Sequence, residues 1–368
     1  MRELRAHEEL KTAGDLTEYQ EYLGRAMFVS HQWLSHDHPD PHGEQFRVLQ
    51  DALRNLRSGK SQVQVPVPTE VQYGRRKTPT SYDFTERPFF IWYDYFSCPQ
   101  GSDSTSVHSR QCAIDTIVAY VSRCEYFVIL CPAVTHRDQQ RVLGEDAWAE
   151  RTWCRLERLA RELAARADGF VIVVHSATHQ NLIFSTSRHL DAPGAGQLTF
   201  ERDRQRIAGV IVQMVWQKLH YFLEQGDLHN YRFLLNTQVK CCLRNLGVGP
   251  IEGLVPGFVP RNDPFDDPQA FIVEWFLHEN GFRTVSDRDT AGWTPICYAA
   301  MNGQAMPKHS LHYALIADGG SEASVSTLIQ AKAEVNERLQ FTRPMMRIMF
   351  TALSIRHRVS PSALTVVA

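Results

Sequence analysis

Short apolar runs, each closed off by proline or glycine and separated from the next by a helix-length stretch, restrict this chain to few architectures. The run 89–95 (FFIWYDY) lies between Pro88 and a turn at 97–99. The run 126–131 (YFVILC) is stopped by Pro132, and 170–174 (FVIVV) follows Gly169. A shorter run, 27–30, precedes them. Uninterrupted apolar stretches of this length suit strands covered on both faces, as in parallel sheets. Between them, 44–57 places Phe46, Leu49, Ala52, Leu53 and Leu56 at helical spacing. The segment 109–123 turns Ile114, Ile117, Val118 and Val121 inward, and 147–166 carries Trp153, Leu156, Leu159, Ala160 and Leu163 on one face. Four strands alternating with three helices predict an α/β fold with a mainly parallel sheet and right-handed crossovers.

The flanks are less regular. Residues 1–24 read as a polar helical extension, and 58–88, polar and proline-bearing, as a surface insertion. Segment 175–196 is loop-rich. A helix is expected over 200–224 and a shorter one over 227–235. Glycine and proline turns make 245–268 a linker, within a helical linker region spanning 226–268.

A chain of 368 residues is long enough for two or more domains. Its net charge of -2 argues against a nucleic-acid binder, which normally carries a basic excess. Eight cysteines are scattered without a CxxC pair, and Cys241–Cys242 are adjacent, a poor zinc spacing. Reduced thiols in a cytoplasmic (or nuclear) protein are the expectation. The N-terminus lacks a signal-peptide core, and no window is apolar enough to span a membrane.

Ligands of open parallel sheets bind beyond the carboxyl ends of the strands. That places Ser30, His31 and Trp33 after the first strand and Asp94 and Ser97 after the second in one region. Trp153 and Glu157 enter it from the helix that follows the third strand. Glu157 sits one residue, or about 100° of turn, from Leu156, on the flank of the core face. A carboxylate there can have its pKa raised by desolvation or be held ionised by Arg155, Arg158 or Arg161. It could accept hydrogen bonds from a ribose or stabilise an oxocarbenium ion. The competing reading is a surface glutamate paired with Arg161 at i,i+4. The histidine-rich loop 31–42 reads as a proline-set turn and not as a metal site. Cys154 reads as a packed thiol. No Gly-x-Ser-x-Gly elbow, Walker A loop or GxGxxG occurs.

In this order, FVSHQW (28–33), FFIWYDY with the loop FSCPQGSDS (96–104), YFVILCP and WCRLE (153–157) resemble the successive motifs of Toll/interleukin-receptor (TIR) domains. The resemblance covers about 25–176, and the α/β domain is expected over 25–225. It implies a flavodoxin-like sheet, a BB loop at 97–104, and a helix glutamate, Glu157, that supports cleavage of the nicotinamide–ribose bond of NAD. NAD would be substrate, with no resident cofactor. The chain departs from the family at Gln32–Trp33, where an arginine is common, and in the length of 58–88.

Further on, DTAGWTPICYAAMNG (289–303) resembles the opening of an ankyrin repeat. AFIVEWFLHENG (270–281) and SVSTLIQAKAEVNE (324–337) resemble second helices of such units, interrupted at 304–320. An all-α ankyrin-like segment is therefore expected over 269–337, followed by a tail, 338–368. Repeats of this kind bury their faces against neighbours and bind protein partners. Three functions follow: a TIR-like signalling protein that self-associates and recruits partners through the ankyrin-like segment, an NAD glycohydrolase using Glu157, or a nucleotide sensor that has lost hydrolysis.

Overall fold

The structure is a computed structural model and describes residues 3–164, 169–183 and 192–302. The chain divides into two compact units, one of 1–214 with 240–248, the other of 215–239 with 249–368. The interruption at 304–320, the helix 324–337 and the tail lie outside the described residues.

The first unit is α/β. Among the described residues its strands are β1 (Arg25–His31), β2 (Val63–Gln64), β3 (Phe89–Tyr93), β4 (Tyr126–Leu130), β5 (Val134–Thr135), β6 (Val142–Leu143), β7 (Phe170–Val174) and β8 (Gln180–Ile183). Six form one sheet in the order β2-β8-β7-β4-β1-β3, and β5 and β6 make a separate antiparallel pair. Every pairing in the large sheet is parallel except β7 with β8. The four long parallel strands therefore run β3-β1-β4-β7, compatible with a flavodoxin-like order.

Helices fill the connections. They are α1 (His7–Ala13), α2 (Glu44–Ser58), α3 (Val67–Tyr73), α4 (Asp94–Ser97), α5 (Ser104–Asp115), α6 (Ile117–Arg123), α7 (Glu145–Glu150) and α8 (Thr152–Leu163). Helix α2 begins where Asp40 accepts the Glu44 and Phe46 amides at 2.9 and 2.7 Å. It ends at Gly59, whose positive φ lets its amide close back on the last turn.

Alternation along β1 splits the core in two. Met27 and Val29 join Val128, Leu130, Ile172 and Val174 under Phe46, Leu49, Ala52 and Leu56 of α2. On the other face Phe28 stacks between Trp92 at 4.3 Å and Phe127 at 5.4 Å. Strand β4, central in the sheet, is buried at all five positions, as its unbroken apolar run predicts.

Several expectations are corrected. The run 89–95 is not doubly covered: β3 is the sheet edge, Phe89–Trp92 stay partly exposed, and Asp94 already opens α4. The proline-bearing 58–88 contributes the two-residue β2, an edge strand beside β8. The loop-rich 175–196 contains β8, a short mixed-polarity strand without strong alternation. The helix expected over 109–123 breaks at Thr116, and that over 147–166 breaks at Arg151, which bridges to Gln197. In α8 the buried stripe runs through Thr152, Leu156, Leu159 and Ala160, so Trp153 turns partly outward.

The second unit contains the later part of α9 (Asp203–Glu224), then α10 (Leu228–Gln238), α11 (Pro268–Glu279) and α12 (Pro295–Asn302). Phe276, Phe282, Trp293, Cys297 and Tyr298 form its core. Among the described residues no helix is long and apolar enough to cross a membrane.

Candidate functional site

The strand order reverses at β1, which has β3 on one side and β4 on the other. The carboxyl end of β1 is therefore the topological switch point, where open parallel sheets leave a crevice. Ser30 and His31 close the strand there and face opposite sides of the sheet.

On the α2 side, His31 is almost wholly buried. Its ring stacks on Tyr93 with centroids 3.9 Å apart. Nε2 lies 2.7 Å from Asp94 Oδ1, and the indole N–H of Trp33 donates to Asp94 Oδ2 at 2.9 Å. Nδ1 faces the Tyr93 hydroxyl and the Gln32 carbonyl, each at 3.2 Å, and Gln45 donates to that same carbonyl at 3.0 Å. Burial of the ring opposes its protonation, but the Asp94 carboxylate outweighs burial and raises the His31 pKa. Burial likewise acts to raise Asp94; the charge of His31 and the bonds from His31 and Trp33 overcome it and lower the Asp94 pKa. Each partner thus favours the charged form of the other.

On the α8 side, Ser30 Oγ accepts the Trp148 indole N–H at 2.9 Å. Ser30 is fully buried, and its hydroxyl favours the ionised form of the Glu157 carboxyl. Glu157 as a residue keeps some exposure, yet its Oε2 is shut off from solvent and has no hydrogen-bond partner among the described residues. Desolvation lifts its pKa to about 7 against the Ser30 hydroxyl, with Asp94 adding to the rise and His31 and Arg151 opposing it. An unsatisfied buried carboxyl oxygen costs about 1–3 kcal/mol or more. Carboxyl groups whose pKa is raised by desolvation cluster at functional sites. Near pH 7 this group exchanges its proton readily, as a general acid or base must.

The predicted site residues thus separate. Ser30, His31, Trp33, Asp94 and Glu157 come together at one strand end. Ser97 instead accepts the Tyr93 amide at 3.1 Å and shapes the turn into α4. Trp153 lies half-exposed one turn before Glu157. The Glu157–Arg161 pairing is not formed with Arg161 NH1, which donates to the Cys124 carbonyl at 3.0 Å. Cys154 is buried, and burial pushes its thiol well above the ordinary range. Gln32 is buried and donates to the Gly144 carbonyl at 3.1 Å.

Sequence reasoning missed Tyr93, Gln45 and Trp148. Tyr93 could have been found from alternation, since it shares a sheet face with His31. Trp148 and Gln45 carry no periodic signal, because each is a contact across elements. No family model, curated protein or solved structure matches the chain.

Proposed function

We propose that the first unit is a TIR-like signalling domain of flavodoxin-like topology that binds NAD at the carboxyl end of β1 and cleaves its nicotinamide–ribose bond. The observation that carries this reading is the Glu157 carboxyl, desolvated, one oxygen unpaired, and favoured in its ionised form by Ser30 at the switch point. In the reaction the C1′–N bond breaks and nicotinamide leaves with the electron pair. The ionised Glu157 stabilises the oxocarbenium-like ribosyl centre and then takes the proton of the attacking water. Ser30 holds the carboxyl in place, and Trp148 holds Ser30. Asp94, more exposed than His31, is placed to accept a ribose hydroxyl, with His31 and Trp33 keeping it ionised and oriented.

Nicotinamide release, followed by chromatography at high protein concentration, tests the reading. Wild type should turn NAD over, and Glu157→Gln should be slower by roughly 10²-fold or more with an unchanged circular dichroism spectrum. Absence of turnover in wild type rejects cleavage.

A second reading is favoured by Gln32. Where the resembled family commonly has an arginine, this chain has an amide turned into the protein and bonded to Gly144, which offers a ligand no positive charge. On that reading the domain self-associates through 97–104, and the ankyrin-like helices recruit a protein partner. Substitutions in that loop would then abolish association while NAD is left untouched.

A further inference from the structure

The loop joining α4 to α5 is folded around an internal cation. Arg110 NH1 donates to the carbonyls of Pro99 and Gly101, each at 2.7 Å. The Gln100 side chain donates to the carbonyls of Cys98 at 2.8 Å and Asp94 at 3.3 Å. With those carbonyls turned inward, the next two backbone donors converge outward. The amides of Gln100 and Gly101 reach a single atom, Glu8 Oε1 of α1, at 2.6 and 2.8 Å. Two successive backbone N–H groups on one oxygen form a nest, a concavity suited to anions.

We propose that the amide pair of Gln100 and Gly101 is a phosphate-binding site, occupied by the Glu8 carboxylate acting as an internal competitor. The neighbouring charges permit it. Arg110 lies beneath the loop, and Asp103 is engaged by the Ser106 amide at 2.9 Å and hydroxyl at 2.6 Å. Gly101 leaves room for this arrangement, since a Cβ there would come within 2.8 Å of Asp103 Oδ2 and 2.9 Å of Ser106 Oγ and those side chains would have to turn aside. Burial acts to raise the Glu8 carboxyl, yet donation from Gly101 and Gln100 outweighs it and leaves the pKa lowered. The nest therefore favours a negative charge.

Release need not unfold anything. Leu10, two residues along α1, is completely buried in the core, whereas Glu8 is exposed. The helix stays anchored while the Glu8 side chain turns away and a phosphate group takes its two donors. The inference does not rest on NAD cleavage, which is read separately by nicotinamide release.

The test uses the full chain, isotopically labelled, with backbone amide resonances followed during titration with inorganic pyrophosphate and, separately, ADP. If Glu8 fills the nest most of the time, Glu8→Ala should shift the Gln100 and Gly101 resonances at roughly 10-fold lower ligand concentration than wild type. Glu8→Gln should fall between them. Tighter titration by ADP assigns the phosphate to a nucleotide, and tighter titration by pyrophosphate assigns it to the free anion; either supports the site. Amides that fail to move with either ligand in folded Glu8→Ala, or that titrate identically in wild type and Glu8→Ala, would overturn it.

Discussion

His31 Nε2 and Asp94 Oδ1 lie 2.7 Å apart at the ends of adjacent parallel strands, with the imidazole sealed in and the carboxylate side chain 36% exposed. The protein therefore shields one partner and presents the other. Asp94→Asn should remove the charge that raises the His31 pKa and cost about 2 kcal/mol, the scale of a hydrogen bond to a charged group. Urea denaturation at pH 6 measures it. The pH dependence follows from the two directions. His31 is raised, so its contribution is complete below its ordinary 6.5 and is lost as pH climbs through the folded value. Asp94 is lowered, so its contribution is complete above 3.8 and is lost as pH falls through the folded value. The pair thus stabilises most between those limits, and the difference between wild type and Asp94→Asn should shrink on either side.

Glu157 acts in the opposite sense. Its folded pKa is raised from 4.5 to about 7, so the folded state holds the proton more tightly than the unfolded one. Its contribution is present below 4.5 and is lost as pH rises through 7. At pH 8 the ionised group should cost about 3 kcal/mol relative to acid. Glu157→Gln, which stays neutral, should therefore melt higher than wild type at pH 8 and near wild type at pH 4.5. Thermal melts at the two pH values measure the difference; equal shifts at both would remove the desolvation argument.

Ser30→Ala should push Glu157 in a known direction. The hydroxyl favours the ionised carboxyl, so its loss raises the Glu157 pKa further, while the Trp148 indole loses its acceptor. Stability should fall by about 1–3 kcal/mol. Any pH profile for NAD turnover should move its acidic limb to higher pH, a shift that loss of packing alone would not produce.

The central strand and the helix α2 were legible because one period dominates each: an unbroken apolar run in β4, and Phe46, Leu49, Ala52 and Leu56 at helical spacing. The strand end was legible for a topological reason, since residues after β1 and β3 must meet wherever those strands pair in parallel. What could not be read was tertiary. Strand β2 is two residues long and exists only because β8 offers it an edge. Trp153 was read inward because large aromatics usually are, but the stripe that packs runs through Thr152 and Leu156. The partners of Ser30 and His31, Trp148 and Gln45, lie 118 and 14 residues away in the chain, beyond any local pattern.

Gly24 sets the register that brings His31 beside Asp94. The amide of Arg25, the next residue, donates to the Pro88 carbonyl at 2.9 Å, and Arg25 pairs with Phe89 to begin the β1–β3 ladder. A Cβ on Gly24 would overlap that carbonyl oxygen and lie 2.9 Å from its carbon. Both are backbone atoms, so no side chain can turn aside. Gly24→Ala should cost about 1–3 kcal/mol and loosen the start of the ladder. Hydrogen exchange should quicken at Arg25–Met27 while β4–β7 keeps its protection.

In the second unit Asp289 staples the turn that precedes α12. Its Oδ1 accepts the amides of Ala291 at 2.9 Å and Trp293 at 2.8 Å, while Oδ2 takes the Tyr298 hydroxyl and lies 3.0 Å from His229 Nδ1. The side chain is 2% exposed, so all four donors depend on it rather than on water. Burial acts to raise its pKa, and the bonds from Tyr298 and His229 overcome this and lower it. Asp289→Ala leaves those donors unmatched and should cost about 3–5 kcal/mol, the range for breaking a buried ionic contact. Exchange in Leu228–Gln238 and Pro295–Asn302 should accelerate together, because His229 and Tyr298 lose the same anchor. Acceleration confined to the turn at 289–293 would show that the carboxylate orders only its own loop.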